Sequence, residues 1–388
     1  MTHGGHAPHD RLHHLDALRA GAMFLGVVLH AALSFTDMEW AVKDRHAGAA
    51  PGIWVAAIHG FRMQLFFLLS GYFSAGLLRN RGTAGYAANR WRRIGLPFLL
   101  ACLTVLPATW AAMWFASAGA APRAIADLLA GLPWVPWLLL FPLLGHLWFL
   151  WFLCWMAPVL PAAAWAARRA PWLRVPRPLV ATPLCLLWLV PLTAVLAAPM
   201  GNWGTKPSFG ADTFAGILPM PHLLAYYGAF FLFGALAATV PGAMHGLSRG
   251  WWAWLAAAAL AFLPAIVVGG LAPEAERLFP DPGTRRVAGL ALGATYAWCM
   301  CLGLLGAASR WLHAERAWVR WLADASYWAY LVHLPVVILL QWAVARSGLG
   351  AMTKFTFILG TTMAATLVSY GFLVRGRTVG RLLNGPRG

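Results

Sequence analysis

Long apolar runs, separated by short clusters of charged residues, follow one another along nearly the whole sequence. Runs of roughly 20 apolar residues are long enough, as α-helices, to cross a bilayer core about 30 Å thick. The stretch 124–144 is also apolar, but Pro133, Pro136 and Pro142 interrupt it, so we predict a re-entrant or interfacial segment there. The pattern predicts ten membrane-spanning helices, at residues 17–36, 53–78, 94–117, 146–167, 179–199, 218–239, 250–272, 286–307, 323–345 and 352–374.

The composition supports this assignment. Of 388 residues, 61% are hydrophobic and 11% are charged, whereas soluble proteins are about 45–50% apolar and about 25% charged. A soluble enzyme, a disordered chain and a secreted disulfide scaffold are therefore excluded. We predict an all-α, polytopic transmembrane bundle formed by residues 15–375, with a disordered His-rich tail at 1–14 and a basic tail at 376–388.

The distribution of basic residues predicts the orientation in the membrane. The net charge of +17 comes from 29 Lys and Arg against 12 Asp and Glu. Alternate connections, starting with the N-terminal segment, carry twice as many Lys and Arg as the opposite connections. By the positive-inside rule both termini are cytoplasmic. We therefore predict a bilayer, and no nucleic acid, as the partner of these charges.

Several ionisable residues lie inside predicted spans, where such side chains are costly unless they face the bundle interior or a wet cavity. His30 lies in the first predicted helix, and Arg19 is eleven residues earlier on nearly the same face. His59 and Arg62 are one turn apart on the second helix, and His333 is inside the ninth. We predict that these residues are functional.

A basic connection at residues 79–93 links the second and third predicted helices. Arg90 and Arg93 are one turn apart and share a helix face. Guanidinium groups suit phosphate recognition. We therefore predict that Arg90 and Arg93, with Arg19, hold a phosphate-bearing donor at the cytoplasmic mouth.

Five motifs, in order and at suitable spacing, resemble the acyltransferase 3 family of integral membrane O-acyltransferases, and within it the branch of glucan succinyltransferases. The motifs are L-D-A-L-R-A at Leu15–Ala20 with His30, F-F-L-L-S-G-Y at Phe66–Tyr72, R-W-R-R-I at Arg90–Ile94 with Pro97, H-L-W-F-L at His146–Leu150, and S-Y-W-A-Y-L-V-H at Ser326–His333.

The resemblance implies transfer of an acyl group, succinyl or acetyl-like, from cytoplasmic acyl-CoA to a hydroxyl of a periplasmic glycan, in a bacterial inner-membrane protein. His30 matches the family's essential histidine, Arg19 its partner, and Arg90 and Arg93 the acyl-CoA-binding pair. Acyl-CoA is then a cosubstrate, and we expect no bound cofactor or metal. The residues that we assign to acyl-group or acceptor binding are His59, Arg62, Ser70, Tyr72, His146, Trp148, Tyr330 and His333.

Three alternatives stay open from the sequence. His30 acts either as a general base or as a transiently acylated nucleophile. Arg62 either receives a carboxylate of a dicarboxylic acyl group or stabilises the oxyanion. The chain itself is either an enzyme, a transporter or flippase for a glycan or acyl intermediate, or a structural partner of glycan-synthesis proteins. The family motifs favour the enzyme.

Overall fold

Helices make up nearly all the regular structure in a computed structural model of the protein. It describes residues 13–117, 143–170, 172, 175–201, 210–268, 277, 280–312, 314 and 316–384. In these ranges a single isolated bridge, between Thr36 and Gly48, is the only β-type pairing, and no strand occurs.

The helices occur in the following order. They are α1 His13–Ala32, α2 Ala49–Arg90, α3 Leu96–Leu103, α4 Val105–Ala116, α5 Trp148–Arg169, α6 Pro178–Ala181, α7 Leu186–Ala197, α8 Pro221–Thr239, α9 Ala243–Ser248, α10 Trp251–Ile266, α11 Pro282–Trp311, α12 Ala317–Ala345, α13 Ala351–Ser369 and α14 Thr378–Asn384. Short 3₁₀ turns cover Leu33–Phe35, Gly145–Leu147 and Pro183–Cys185, and π-helical turns cover Trp91–Gly95 and Tyr370–Val374.

Seven helical stretches among the described residues are long and apolar enough to cross a membrane. They are His13–Phe35, Ala49–Ala116, Gly145–Arg169, Pro221–Thr239, Pro282–Trp311, Ala317–Ala345 and Ala351–Val374. Two further apolar helices, Pro183–Ala197 and Trp251–Ile266, are shorter. The prediction of a helical, polytopic membrane protein is confirmed. The number ten stays a prediction, because the 68-residue stretch runs across two of the predicted spans.

The boundaries differ from the predicted ones in three places. The predicted connection 79–93 is largely helical: α2 continues to Arg90 and bends at Gly82, whose positive φ of 65° a residue without a Cβ adopts easily. Helix α1 begins at His13, inside the predicted tail, and α14 lies inside the predicted basic tail. Most of the predicted re-entrant segment falls at 118–142, outside the described residues.

The backbones of α2 and α8 approach each other closely. A Cβ at Gly71 would collide with the carbonyl oxygen of Phe231, and a Cβ at Gly234 would collide with that of Leu68. Small residues that let two backbones touch are the usual basis of helix association in membranes. The pair brings α2, which carries Arg62, into a fixed position within the bundle.

We expect Gly71→Ala or Gly234→Ala to destabilise the protein by about 1–3 kcal/mol, because the added methyl group has to push two helix backbones apart. Thermal unfolding in detergent measures the change. Gly76→Ala on α2 and Gly228→Ala on α8 are matched controls, since a Cβ at either position meets no atom within 4 Å. Equal melting temperatures for all four variants would contradict the close backbone contact.

Candidate active site

Two histidines from opposite ends of the sequence meet inside the bundle. The Nδ1 atom of His30, in the last turn of α1, is 2.9 Å from Nε2 of His333 on α12. The ring centroids are 5.0 Å apart and the ring planes are inclined by only 16°. The Nδ1 atom of His333 lies 2.7 Å from the carbonyl oxygen of Tyr330 and 3.2 Å from that of Ala329. His333 is buried, whereas His30 keeps partial exposure.

A third histidine, His146, joins this pair from the 3₁₀ turn that precedes α5. Its ring centroid is 5.3 Å from that of His333, with the planes nearly perpendicular. Its Nε2–H group donates a hydrogen bond to the carbonyl oxygen of Leu331 at 2.9 Å, and the Tyr330 hydroxyl donates to the carbonyl oxygen of His146 at 2.7 Å. The buried Nδ1 atom of His146 has no hydrogen-bond partner, so it is available to a bound donor.

Arg62 brings a positive charge to the same place. Its guanidinium reaches α1 so closely that a Cβ at Gly26 would collide with Nη1, and Gly26 is one turn from His30. The Nε atom of Arg62 is buried without a hydrogen-bond partner, and no carboxylate pairs with the side chain in the described part of the chain. A cation inside a bundle without an anionic partner is a strong indication of a ligand site. His30, His146, His333 and Arg62 form the histidine–arginine cluster.

A glutamine on α12 fixes the end of α1 that carries His30. The Nε2 atom of Gln341 donates to the carbonyl oxygens of His30 at 2.9 Å and Ala31 at 3.3 Å. Its Oε1 atom accepts a hydrogen bond from the indole of Trp40 at 2.8 Å. Sequence reasoning missed Gln341. The available signal was a neutral amide inside an apolar run, because the polar atoms of such an amide need hydrogen-bond partners there.

A buried ion pair anchors the connection 36–48, which covers His30. The Nζ atom of Lys354 lies 2.7 Å from Oδ2 of Asp44 and 2.9 Å from the carbonyl oxygen of Ala345. The two side chains are 0% and 2% exposed. Burial of Asp44 opposes its ionisation, but the hydrogen bonds from Lys354 and His46 outweigh that effect and hold the pKa of Asp44 below its usual value of 3.8.

Three arginines gather around the opposite part of α1, nearer its N-terminus. Arg19 pairs with Asp16 at 3.2 Å and lies over the ring of Phe73. Arg90 donates to the hydroxyl of Ser74, the residue that follows Phe73 on α2, and Arg93 is one turn beyond Arg90. Arg19, Arg90 and Arg93 form the arginine cluster. Mutual repulsion of three cations favours the binding of an anion between them.

Arg90 is held by side chains of α2, and Arg93 is held by the backbone of α14. Arg90 donates to the Ser74 hydroxyl at 3.3 Å and to the Asn89 side chain at 2.8 Å, while its buried Nε atom has no partner. Arg93 lies in the π-helical turn and donates to the carbonyl oxygen of Leu383 on α14 at 3.4 Å. Single π-helical turns inside α-helices often occur at functional sites.

The two clusters lie at different depths along the same helix face. Eleven residues separate Arg19 from His30, a rise of roughly 16 Å at 1.5 Å per residue. Arg19 therefore belongs to the arginine cluster in the structure, and its contacts are with Asp16 and Phe73. A ligand that reaches both clusters has to be long and extended.

The other predicted acyl-group or acceptor residues have different surroundings. The Nε2–H of His59 donates to the carbonyl oxygen of Ala211 at 2.9 Å, and Tyr330 contacts His146 of the histidine–arginine cluster. Ser70 and Tyr72 lie about two to three turns beyond Arg62 on α2. Trp148 is 7% exposed. The rings around Trp148 are those of Phe67, Phe152 and Tyr227.

Comparison with known proteins agrees with this architecture. A family model described as an acyltransferase domain matches residues 12–374. Relatives named Glucans biosynthesis protein C, from Escherichia coli strains SMS-3-5 and O157:H7 EC4115, are 37% identical to the chain over 105 residues. That match covers 26% of this chain and 26% of each relative. No solved structure matches. Because the family model matches most of the chain, this membrane protein belongs to the acyltransferase 3 family.

Proposed function

We propose that the protein transfers an acyl group from cytoplasmic acyl-CoA to a hydroxyl of a glycan on the far side of the bacterial inner membrane. The proposed orientation has ten spans and both termini in the cytoplasm, so that the arginine cluster faces the cytoplasmic mouth. The observation that carries this proposal is the position of the two clusters at two depths on one face of α1. An acyl-CoA, which has phosphates at one end and a thioester at the other, fits that arrangement.

The arginine cluster is the proposed binding site for the CoA phosphates. Half-buried guanidinium groups form charge-assisted hydrogen bonds to phosphate oxygens, often as bidentate pairs. The orphaned Nε atom of Arg90 offers one further donor. The flexible pantetheine arm then spans the roughly 16 Å of α1 between Arg19 and His30.

The histidine–arginine cluster is the proposed site of acyl transfer, with His30 as the general base. His30 removes the proton of the acceptor hydroxyl while the hydroxyl oxygen attacks the thioester carbonyl carbon. The C–S bond breaks, and the CoA sulfur leaves and takes a proton back from the His30 imidazolium. The products are an ester of the glycan and free CoA thiol, so atoms and charges balance without a metal or redox cofactor.

The acceptor is proposed to approach from the side of the connection 36–48. His146, with its unpartnered Nδ1, and Tyr330 lie beside His333, which contacts the base. His59, Ser70 and Tyr72 complete the proposed acyl and acceptor path, and Trp148 supports it by packing. The proposal that the acceptor is a glucan comes from the name of the relatives that match part of the chain.

Arg62 is proposed to bind the free carboxylate of a dicarboxylic acyl group. We expect Arg62→Gln to lower transfer of a succinyl group about 10- to 100-fold relative to transfer of an acetyl group. This factor corresponds to the free energy of one charge-assisted hydrogen bond. Competition between succinyl-CoA and acetyl-CoA measures the ratio. An equal loss for both donors would assign Arg62 to the oxyanion instead, and unchanged succinyl transfer would remove it from the reaction.

Gly26→Ala gives the same test without changing Arg62 itself, because the new methyl group displaces Nη1. Gly21→Ala on the same helix is the matched control, since a Cβ there meets no atom within 4 Å.

Purified protein in liposomes tests the proposed function as a whole. Acyl-CoA is added on the arginine-cluster side and a glucan is enclosed on the other side. We expect release of CoA thiol together with acylated glucan. Glucan that crosses the bilayer without acquiring an acyl group would support a transporter and contradict the proposal.

A further inference from the structure

The hydrogen bonds of the histidine pair form a continuous line that ends on backbone. The line runs from the carbonyl oxygen of Tyr330, through Nδ1 and Nε2 of His333, to Nδ1 of His30. Each link is 2.9 Å or shorter. Carbonyl oxygens only accept hydrogen bonds, so the first link has one possible direction.

This direction determines the proton positions along the line. The Nδ1 atom of His333 faces two carbonyl oxygens, those of Tyr330 and Ala329, and therefore carries a proton. A neutral imidazole has one N–H and one lone pair, so Nε2 of His333 is an acceptor. The proton between the two rings then belongs to Nδ1 of His30, which leaves the lone pair of His30 on Nε2.

A doubly protonated His333 would reverse the second link, but the surroundings oppose it. His333 is 1% exposed, and no carboxylate contacts it in the described part of the chain. Arg62 already places one unpaired positive charge near it. A second buried cation without a counter-ion is costly inside a bundle, so the neutral form of His333 is the one that fits.

We propose that His333 is a positioning residue, which accepts the Nδ1 proton of His30 and thereby presents the Nε2 lone pair of His30 to the acceptor hydroxyl. The inference deepens the proposed function, since it rests on His30 as the base and names the atom that acts. Gln341 supplies the second constraint, because it holds the carbonyl oxygens of His30 and Ala31. Two residues of α12 thus fix His30: His333 holds its ring and Gln341 holds its backbone.

The proposal separates His333 from the residues that bind the acceptor. A binding residue changes the KM for the glycan, whereas a residue that selects the correct tautomer of a base changes kcat. Glutamine in place of His333 keeps an acceptor oxygen near the position of Nε2 and a donor for the backbone. Leucine has about the same reach and offers neither.

Steady-state kinetics of His333→Leu and His333→Gln therefore test the proposal. We expect His333→Leu to lose about 10²-fold in kcat with the KM for the glucan unchanged, and His333→Gln to recover at least about tenfold of that loss. His245→Leu, at an exposed position on α9, is the control for the loss of a histidine. Melting temperatures of all variants in detergent confirm that each is folded.

Three results would overturn the proposal. One is a raised KM with unchanged kcat in His333→Leu, which would assign His333 to the acceptor path. Another is equal loss in folded His333→Gln and His333→Leu, which would show that a hydrogen-bond acceptor is not what His30 requires. The third is wild-type activity in both. If His30→Ala also keeps full activity, it is the proposed function that fails.

Discussion

Replacing His30 by alanine is expected to reduce acyl transfer by about 10²–10⁴-fold, the usual contribution of a general base. The variant removes the lone pair that we assign to the base, whereas the rings of His146 and His333 stay bonded to carbonyl oxygens of α12. The kcat for CoA release in the presence of glucan measures the effect.

In His30→Ala, unfolding of the protein can be distinguished from loss of the catalytic base. Gln341 binds the backbone of His30, and that contact survives a change of side chain. His30→Ala is therefore expected to melt within a few degrees of the wild type, as is the exposed-site control His245→Ala. Activity of His30→Ala within a factor of two of the wild type would contradict the role of His30. An acyl group found on His30 after a single-turnover reaction without acceptor would show that His30 is a transiently acylated nucleophile and not a general base.

Removing the cation of the buried ion pair has the largest expected effect on stability. Lys354→Met leaves the Asp44 carboxylate without its cation, and an unpaired buried charge costs about 3 kcal/mol or more. We expect a lower melting temperature and lower activity, since the connection 36–48 carries Trp40 over His30. Adding Asp44→Asn to Lys354→Met is expected to restore part of the stability, because the charge is then gone as well. A double variant that is less stable than Lys354→Met would contradict this reasoning.

The same pair gives a pH dependence with a definite sign. The pKa of Asp44 in the folded protein is held below its usual value of 3.8 by Lys354 and His46. The stabilisation by Asp44 is therefore complete at neutral pH and is lost as the pH falls below about 4, through the folded-state pKa. Lys354→Met is expected to lose less stability than the wild type over that interval.

The sequence was sufficient to predict a helical membrane protein and to identify His30 as a candidate site residue. Spanning helices depend on local apolar runs, and an ionisable residue inside such a run is conspicuous without knowledge of its neighbours. The continuation of α2 through residues 79–90 was not predictable in this way. The apolar pattern ends there, and the helix continues on polar residues up to the π-helical turn.

Partners across the bundle could not be predicted. His30 and His333 are 303 positions apart, and a single sequence does not say which helices pack together. The partner of Lys354 was not predictable either, because only packing shows that it turns inward to Asp44. The requirement for glycine at position 26 was likewise not predictable, because it depends on the contact with Arg62.

Mass spectrometry of cell-envelope glycans tests the central claim most directly. The glycans are compared from cells with the wild-type protein, with His30→Ala and without the protein. We predict an acyl adduct on a sugar hydroxyl in the wild type only, and its mass identifies the acyl group. The same adduct in cells with His30→Ala would contradict the catalytic assignment, and identical glycans in all three strains would contradict acyl transfer to an envelope glycan.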